Sequence, residues 1–121
     1  MDKTSVERRK RRSSNCAEAL ALLLESTREQ ARLASVVLSD RTGILVAGAG
    51  PARECDELAA WAPLVLDARE SAPQGLCGVR VRGLDAYLCA ASAGGSPLSV
   101  LTEAAEGCAR ILGVRRVETN A

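Results

Sequence analysis

The side chains with the greatest chemical reach in this 121-residue chain are five cysteines, Cys16, Cys55, Cys77, Cys89 and Cys108, and no histidine accompanies them. A thiolate nucleophile at neutral pH needs a base or a cationic neighbour, and histidine is the commonest base and the commonest metal ligand. The closest pair, Cys77 and Cys89, is twelve residues apart, so the C-x-x-C spacing of a tetrahedral zinc site is missing. An odd count without a close pair, each cysteine set among apolar or small residues, reads as reduced thiols packed in the core of a cytoplasmic protein.

Gly48-Ala49-Gly50 stands where a phosphate-cradling loop would stand, after a strand and before a helix. A dinucleotide fingerprint needs a third glycine where Arg53 is, and a P-loop needs a lysine, yet both lysines, Lys3 and Lys10, lie near the N-terminus. The reading is a strand-ending turn. The carboxylates of Asp56-Glu57 and of Glu103 and Glu106 fall on polar helix faces, where solvation explains them without acid–base chemistry. The expectation is therefore no catalytic residue, no cofactor and no metal, with neither hydrolysis nor tight binding of GTP or ATP.

The densest charge signal is Glu7-Arg8-Arg9-Lys10-Arg11-Arg12. Residues 1–12 hold six cations against two acids and carry +4, which leaves ten cations against 13 acids and −3 on the rest of the chain. Residues 1–14 read as a disordered basic tail, and residues 15–121 as one folded domain. The tail suits solubilisation, or contact with an acidic protein, an anionic membrane or nucleic acid. No aromatic residue is interleaved with its cations, so stacking on single strands has no support there.

Elements that would position these groups can be read in order. Asn15 and Glu18 form a capping pair for a first helix with Leu20, Leu23, Leu24, Thr27 and Ala31 on one face. Ser35-Val36-Val37-Leu38 and Ile44-Leu45-Val46-Ala47 flank Ser39-Asp40-Arg41-Thr42-Gly43 and make a hairpin. Cys55, Leu58, Ala62 and Val65 mark a second helix that Pro63 should kink or divide. Val79–Arg82 and Ala86–Ala91 form a second hairpin, and Ser96-Pro97 opens a last helix that Gly113 ends. The order α-ββ-α-ββ-α predicts a single α+β domain in which helices cover an antiparallel sheet of four to five strands. With no Phe, one Trp and one Tyr, its core must be Leu, Val, Ile and Ala. No stretch approaches a transmembrane length, and the apolar run Ala19–Leu24 is too short, and too closely flanked by Glu18 and Glu25, for a signal peptide.

The capped helix, the hairpin Ser35–Ala47 with its Asp40-x-x-Gly43 turn, the segment Glu57-Leu58-Ala59-Ala60-Trp61-Ala62-Pro63-Leu64 and the closing helix together resemble the Roadblock/dynein light chain family over most of residues 15–113. That family has three strands between its second and third helices. Two are evident here, and a third has room only near Leu76. The resemblance implies a non-enzymatic, dimeric interaction module serving a small Ras-like GTPase or a motor or signalling complex. It also implies that Leu58, Trp61 and Val65 form an apolar strip covered by a second subunit, the alternative being that Trp61 lies wholly inside the core. Two other functions compete with it: a GAF-like small-molecule sensor, and a nucleic-acid accessory protein acting through the tail.

Overall fold

A computed structural model describes residues 2–66, 75–81, 85–92 and 98–113, without the side chains of residues 2–14 and of Val65. Its elements are α1 (Asp2–Ala31), β1 (Ser35–Asp40), β2 (Leu45–Ala49), α2 (Ala52–Leu66), β3 (Leu76–Arg80), β4 (Ala86–Ala91) and α3 (Leu98–Leu112). The order α-ββ-α-ββ-α is the expected one. The strands form one antiparallel sheet in the order β2-β1-β4-β3, with α1 and α3 on one face and α2 on the other.

Because both faces are covered, the two central strands carry near-continuous apolar runs and not a simple alternation. Pleating divides them: Val36 and Leu38 join Leu24, Leu88 and Leu101 beneath α1 and α3. Val37 points the other way, onto Cys55, Leu58, Ala59 and Ala62 of α2. Ser35 and Ser39 share the parity of Val37 and so also face α2, and Ser35 pairs with Ala91 of β4, which in turn pairs with Leu76 of β3. A register shift between Leu38 and Ser39 lets Val46 turn outward on the edge strand β2.

Four details differ from expectation. The first helix starts at Asp2, not at the Asn15 cap, and its helical backbone takes in residues 2–14, where an unstructured segment was expected. Those residues contain no Pro or Gly and are rich in Arg and Lys, which are good helix formers, so nothing local stops the helix. Pro63 lies within a continuous α2 and does not divide it. The third strand spans Leu76–Arg80, earlier than the expected Val79–Arg82, so Leu76 belongs to β3 itself and four strands are present among the described residues. Leu98, expected on the inner face of α3, is exposed in its first turn, while Leu101, Ala105 and Cys108 are buried as expected. The Ser96-Pro97 helix opening lies outside the described residues. At the other end Gly113, with φ of 107°, donates its N–H to the Ala109 carbonyl at 3.1 Å and ends α3 as predicted.

Candidate functional site

The first hairpin is held by one carboxylate. Asp40 Oδ1 accepts hydrogen bonds from the Thr42 N–H at 2.8 Å, the Thr42 hydroxyl at 2.7 Å and the Ile44 N–H at 3.0 Å. These donors, the Thr42 hydroxyl foremost, hold the Asp40 carboxyl below its ordinary value. The arrangement ties Asp40 to its own turn, which is a structural role. Gly48, one of the two glycines that imitate a phosphate loop, is paired with Val37 inside β2.

Cys55, Cys89 and Cys108 are buried free thiols. Burial pushes Cys89 up to about 12 and Cys108 up to about 11, and it raises Cys55 as well, with Asp56 and Glu54 adding to the effect. Such thiols pack as small hydrophobes and form little thiolate at neutral pH. Cys16 and Cys77 are half-buried. Among the described residues no three His, Cys, Asp or Glu side chains stand close enough to share a metal ion, and no helix is long and apolar enough to cross a membrane.

The predicted strip on α2 divides. Leu58 is only 4% exposed and packs with Val37, Tyr87 and Cys89 against the sheet, so within the single chain it is a core residue. The cause is helical spacing: Cys55, Leu58, Ala59 and Ala62 occupy positions 0, 3, 4 and 7 of the face that meets the sheet. Trp61 lies on the flank of that face and is 38% exposed, which excludes the alternative of a tryptophan wholly inside the core. Its exposed companion is Leu64, 44% exposed, three residues along the same side of the helix. Leu64 was not singled out from the sequence, although its spacing from Trp61 was the available signal. The Val65 side chain and the side chains of Arg8, Arg9, Lys10, Arg11 and Arg12 lie outside the described residues.

Beside this flank a cleft of about 190 Å³ opens between α2 and the ends of β1, β4 and β3. Leu58, Leu76 and Ala91 form its apolar floor, Trp61 walls it, and Glu54 and Glu57 stand at its rim with Ser35 beneath. Glu54, Glu57, Leu58 and Trp61 again follow positions 0, 3, 4 and 7, now of the stripe next to the core stripe. Glu54 also suits the first turn of α2, where a carboxylate meets the positive end of the helix dipole.

No family model and no curated protein matches the chain. Its fold is similar to that of solved structures. A structure described as MglB with tetrameric arrangement has 20% sequence identity and a TM-score of 0.54, covering 79% of this chain and 89% of that one. The gliding protein MglB from Thermus thermophilus has 20% identity and a TM-score of 0.55, covering 79% and 90%. These likenesses place the chain in a roadblock-like fold, which is the fold the hairpin and helix pattern had suggested.

Proposed function

We propose that the chain is a non-enzymatic interaction module that pairs with a second copy of itself and serves as a regulator or scaffold for a small Ras-like GTPase or a motor or signalling complex. The observation that carries the pairing is the exposure of Trp61 beside Leu64. The chain has one tryptophan and no phenylalanine, so leaving this ring more than one-third in water forgoes much of its aromatic burial. An aromatic and an aliphatic side chain adjacent on one helix face are the kind of anchor that protein interfaces bury at their centre. A small domain with a core of Leu, Val and Ala gains from covering more apolar area. The two MglB structures, one of them described as tetrameric, support association of this fold, and the GTPase partner rests on the family resemblance.

A GAF-like sensor receives less support, because a cleft of about 190 Å³ falls below the roughly 300 Å³ at which metabolite-sized pockets begin. Five free thiols, three of them buried, suit the cytoplasmic setting that goes with this reading. Affinity purification of the tagged chain followed by mass spectrometry tests the partner. Recovery of a small GTPase supports the regulator reading, and its absence alongside self-association confines the function to homotypic assembly.

A further inference from the structure

We infer that the basic N-terminal half of α1 is an arm that binds double-stranded DNA through its phosphates, without regard to sequence. Helices α1 and α2 lie on opposite faces of the sheet, so this arm and the strip of Trp61 and Leu64 are separate surfaces.

The fold gathers charge that the sequence keeps at its two ends. Leu23 of α1 lies against Gly107 of α3, where an added Cβ would stand 2.9 Å from its Cδ2, and the Cys16 thiol donates to the Ile111 carbonyl at 3.7 Å. The two helices therefore run antiparallel, and the start of α1 lies at the same end of the molecule as the last turn of α3. Exposed Arg110 stands in that turn, and Arg115 and Arg116 follow Gly113 in sequence. Residues 1–15 and 110–121 together hold nine cations against three acids, a net +6, while residues 16–109 hold seven cations against 12 acids, a net −5. An acidic body thus carries a strongly cationic end.

The arm also reaches away from the body. Helix α3 ends at Leu112, whereas α1 continues back to Asp2, about 21 Å of helix beyond Cys16. Among the described residues the core packing of α1 begins only at Leu20, so residues 2–15 run on past the end of α3.

The spacing of the cations selects the ligand. Lys3, Arg8, Arg9, Lys10, Arg11 and Arg12 fall along about 14 Å of helix axis, one per about 2.3 Å, close to the one phosphate charge per about 1.7 Å of duplex DNA. The 12 acids of residues 16–109 are spread over a whole domain, so the body of a second copy offers no such density. With 3.6 residues per turn, the five consecutive cations Arg8 to Arg12 occupy every side of the helix, and Val6 is the one aliphatic residue between Asp2 and Asn15. An anionic bilayer would touch such a helix on one side only and would find no apolar face to bury. A major groove about 12 Å wide admits the whole helix between two rows of phosphates, onto which the arginines fork.

The full chain is titrated onto a fluorescein-labelled DNA duplex of mixed sequence, read by anisotropy from about 50 to about 200 mM salt. Micromolar binding is expected at the lower salt, with log K falling against log salt at a slope of about −5 for six neutralised phosphates. Replacing Arg8, Arg9, Arg11 and Arg12 together by Gln should weaken binding at least about tenfold and flatten the slope, while Lys at the same four positions keeps the slope. Removing residues 1–12 should abolish binding with circular dichroism of the domain unchanged. Binding that survives this deletion, a slope near zero, or equal or tighter retention by phosphatidylserine vesicles overturns the assignment. Salt-sensitive self-association that vanishes with the same deletion, in place of DNA binding, overturns it too and gives the arm to the acidic body of a second copy. Pairing through α2 is read separately, by sedimentation of the chain lacking residues 1–12.

Discussion

Gly43, at the tip of the first hairpin, lies against Pro63 of α2: a Cβ at residue 43 would stand 3.5 Å from the proline ring, 3.3 Å from the Ala60 Cα and 3.5 Å from the Ala59 carbonyl oxygen. In an uninterrupted helix the Ala59 carbonyl would accept from the N–H of residue 63, which proline lacks. The hairpin tip therefore covers the place where Pro63 leaves α2 with an open backbone acceptor, and a continuous helix through Pro63 becomes compatible with a packed face. Gly43 also has φ of 90°, a conformation costly for any residue with a side chain. Gly43→Ala should lose about 1–3 kcal/mol, whereas Pro63→Ala should be neutral or stabilising. Thermal unfolding followed by circular dichroism decides: a melting temperature for Gly43→Ala within a degree of the parent would show that the contact yields freely.

Asp40 should make the hairpin acid-sensitive. Its folded value lies below the ordinary 3.8, held there first by the Thr42 hydroxyl and then by the Ile44 N–H. A carboxyl depressed in the folded state contributes stability that is fully present above its unfolded value and is lost as pH falls through the folded one. The parent should thus lose more stability than Asp40→Asn between pH 5 and pH 2. Parallel acid-unfolding curves for the two proteins would contradict this.

The elements were largely legible because each rests on local chemistry: the Asp40–Gly43 turn, the Gly113 stop and the apolar spacing of α1 act within a few residues. What was not legible depended on choices made elsewhere in the fold. Helix α2 carries two adjacent stripes, Cys55-Leu58-Ala59-Ala62 and Glu54-Glu57-Leu58-Trp61, and only the docking of the sheet decides that the first is buried and the second borders solvent. The cleft joins that second stripe to Ser35, Leu76 and Ala91 from three strands, a meeting set by the β1–β4–β3 register and by nothing near those residues in sequence. The start of α1 was misplaced for the opposite reason. A good capping pair at Asn15 and Glu18 outweighed the helix-forming composition before it.

Native-state alkylation should spare the buried cysteines. With Cys89 up at about 12, Cys108 at about 11 and Cys55 raised, all by burial, each is both shielded and almost entirely protonated at pH 8. Iodoacetamide under native conditions should add at most two groups, at Cys16 and Cys77, as read by intact mass, and five after denaturation. A third adduct on the folded protein would mean that one of the buried sites opens readily.

The division at residue 15 leads to a deletion test. If the packed domain begins there, removing residues 1–12 should change the melting temperature by less than about 2 °C, since a segment of mostly charged side chains buries little apolar area. A loss of several degrees would show that the basic segment packs on the acidic body and would move the boundary.

Self-association is tested by two substitutions on one helix that should behave oppositely. Leu58 is 4% exposed among Val37, Tyr87 and Cys89, so Leu58→Ala should cost about 2–5 kcal/mol through the cavity it leaves. Pairing should survive in the molecules that remain folded. Trp61 is 38% exposed and adjoins exposed Leu64, so Trp61→Ala removes the aromatic part of the strip offered to a second copy, and it also removes the packing of the covered part of the ring. The expected outcome is a folded monomer at concentrations where the parent sediments as a dimer, with a smaller loss of stability than Leu58→Ala causes. A Trp61→Ala protein that is strongly destabilised yet still dimeric would place the ring's role inside the subunit and move the interface to another face, for which the open edge of β2 with Ile44 and Val46 exposed would be the next to test.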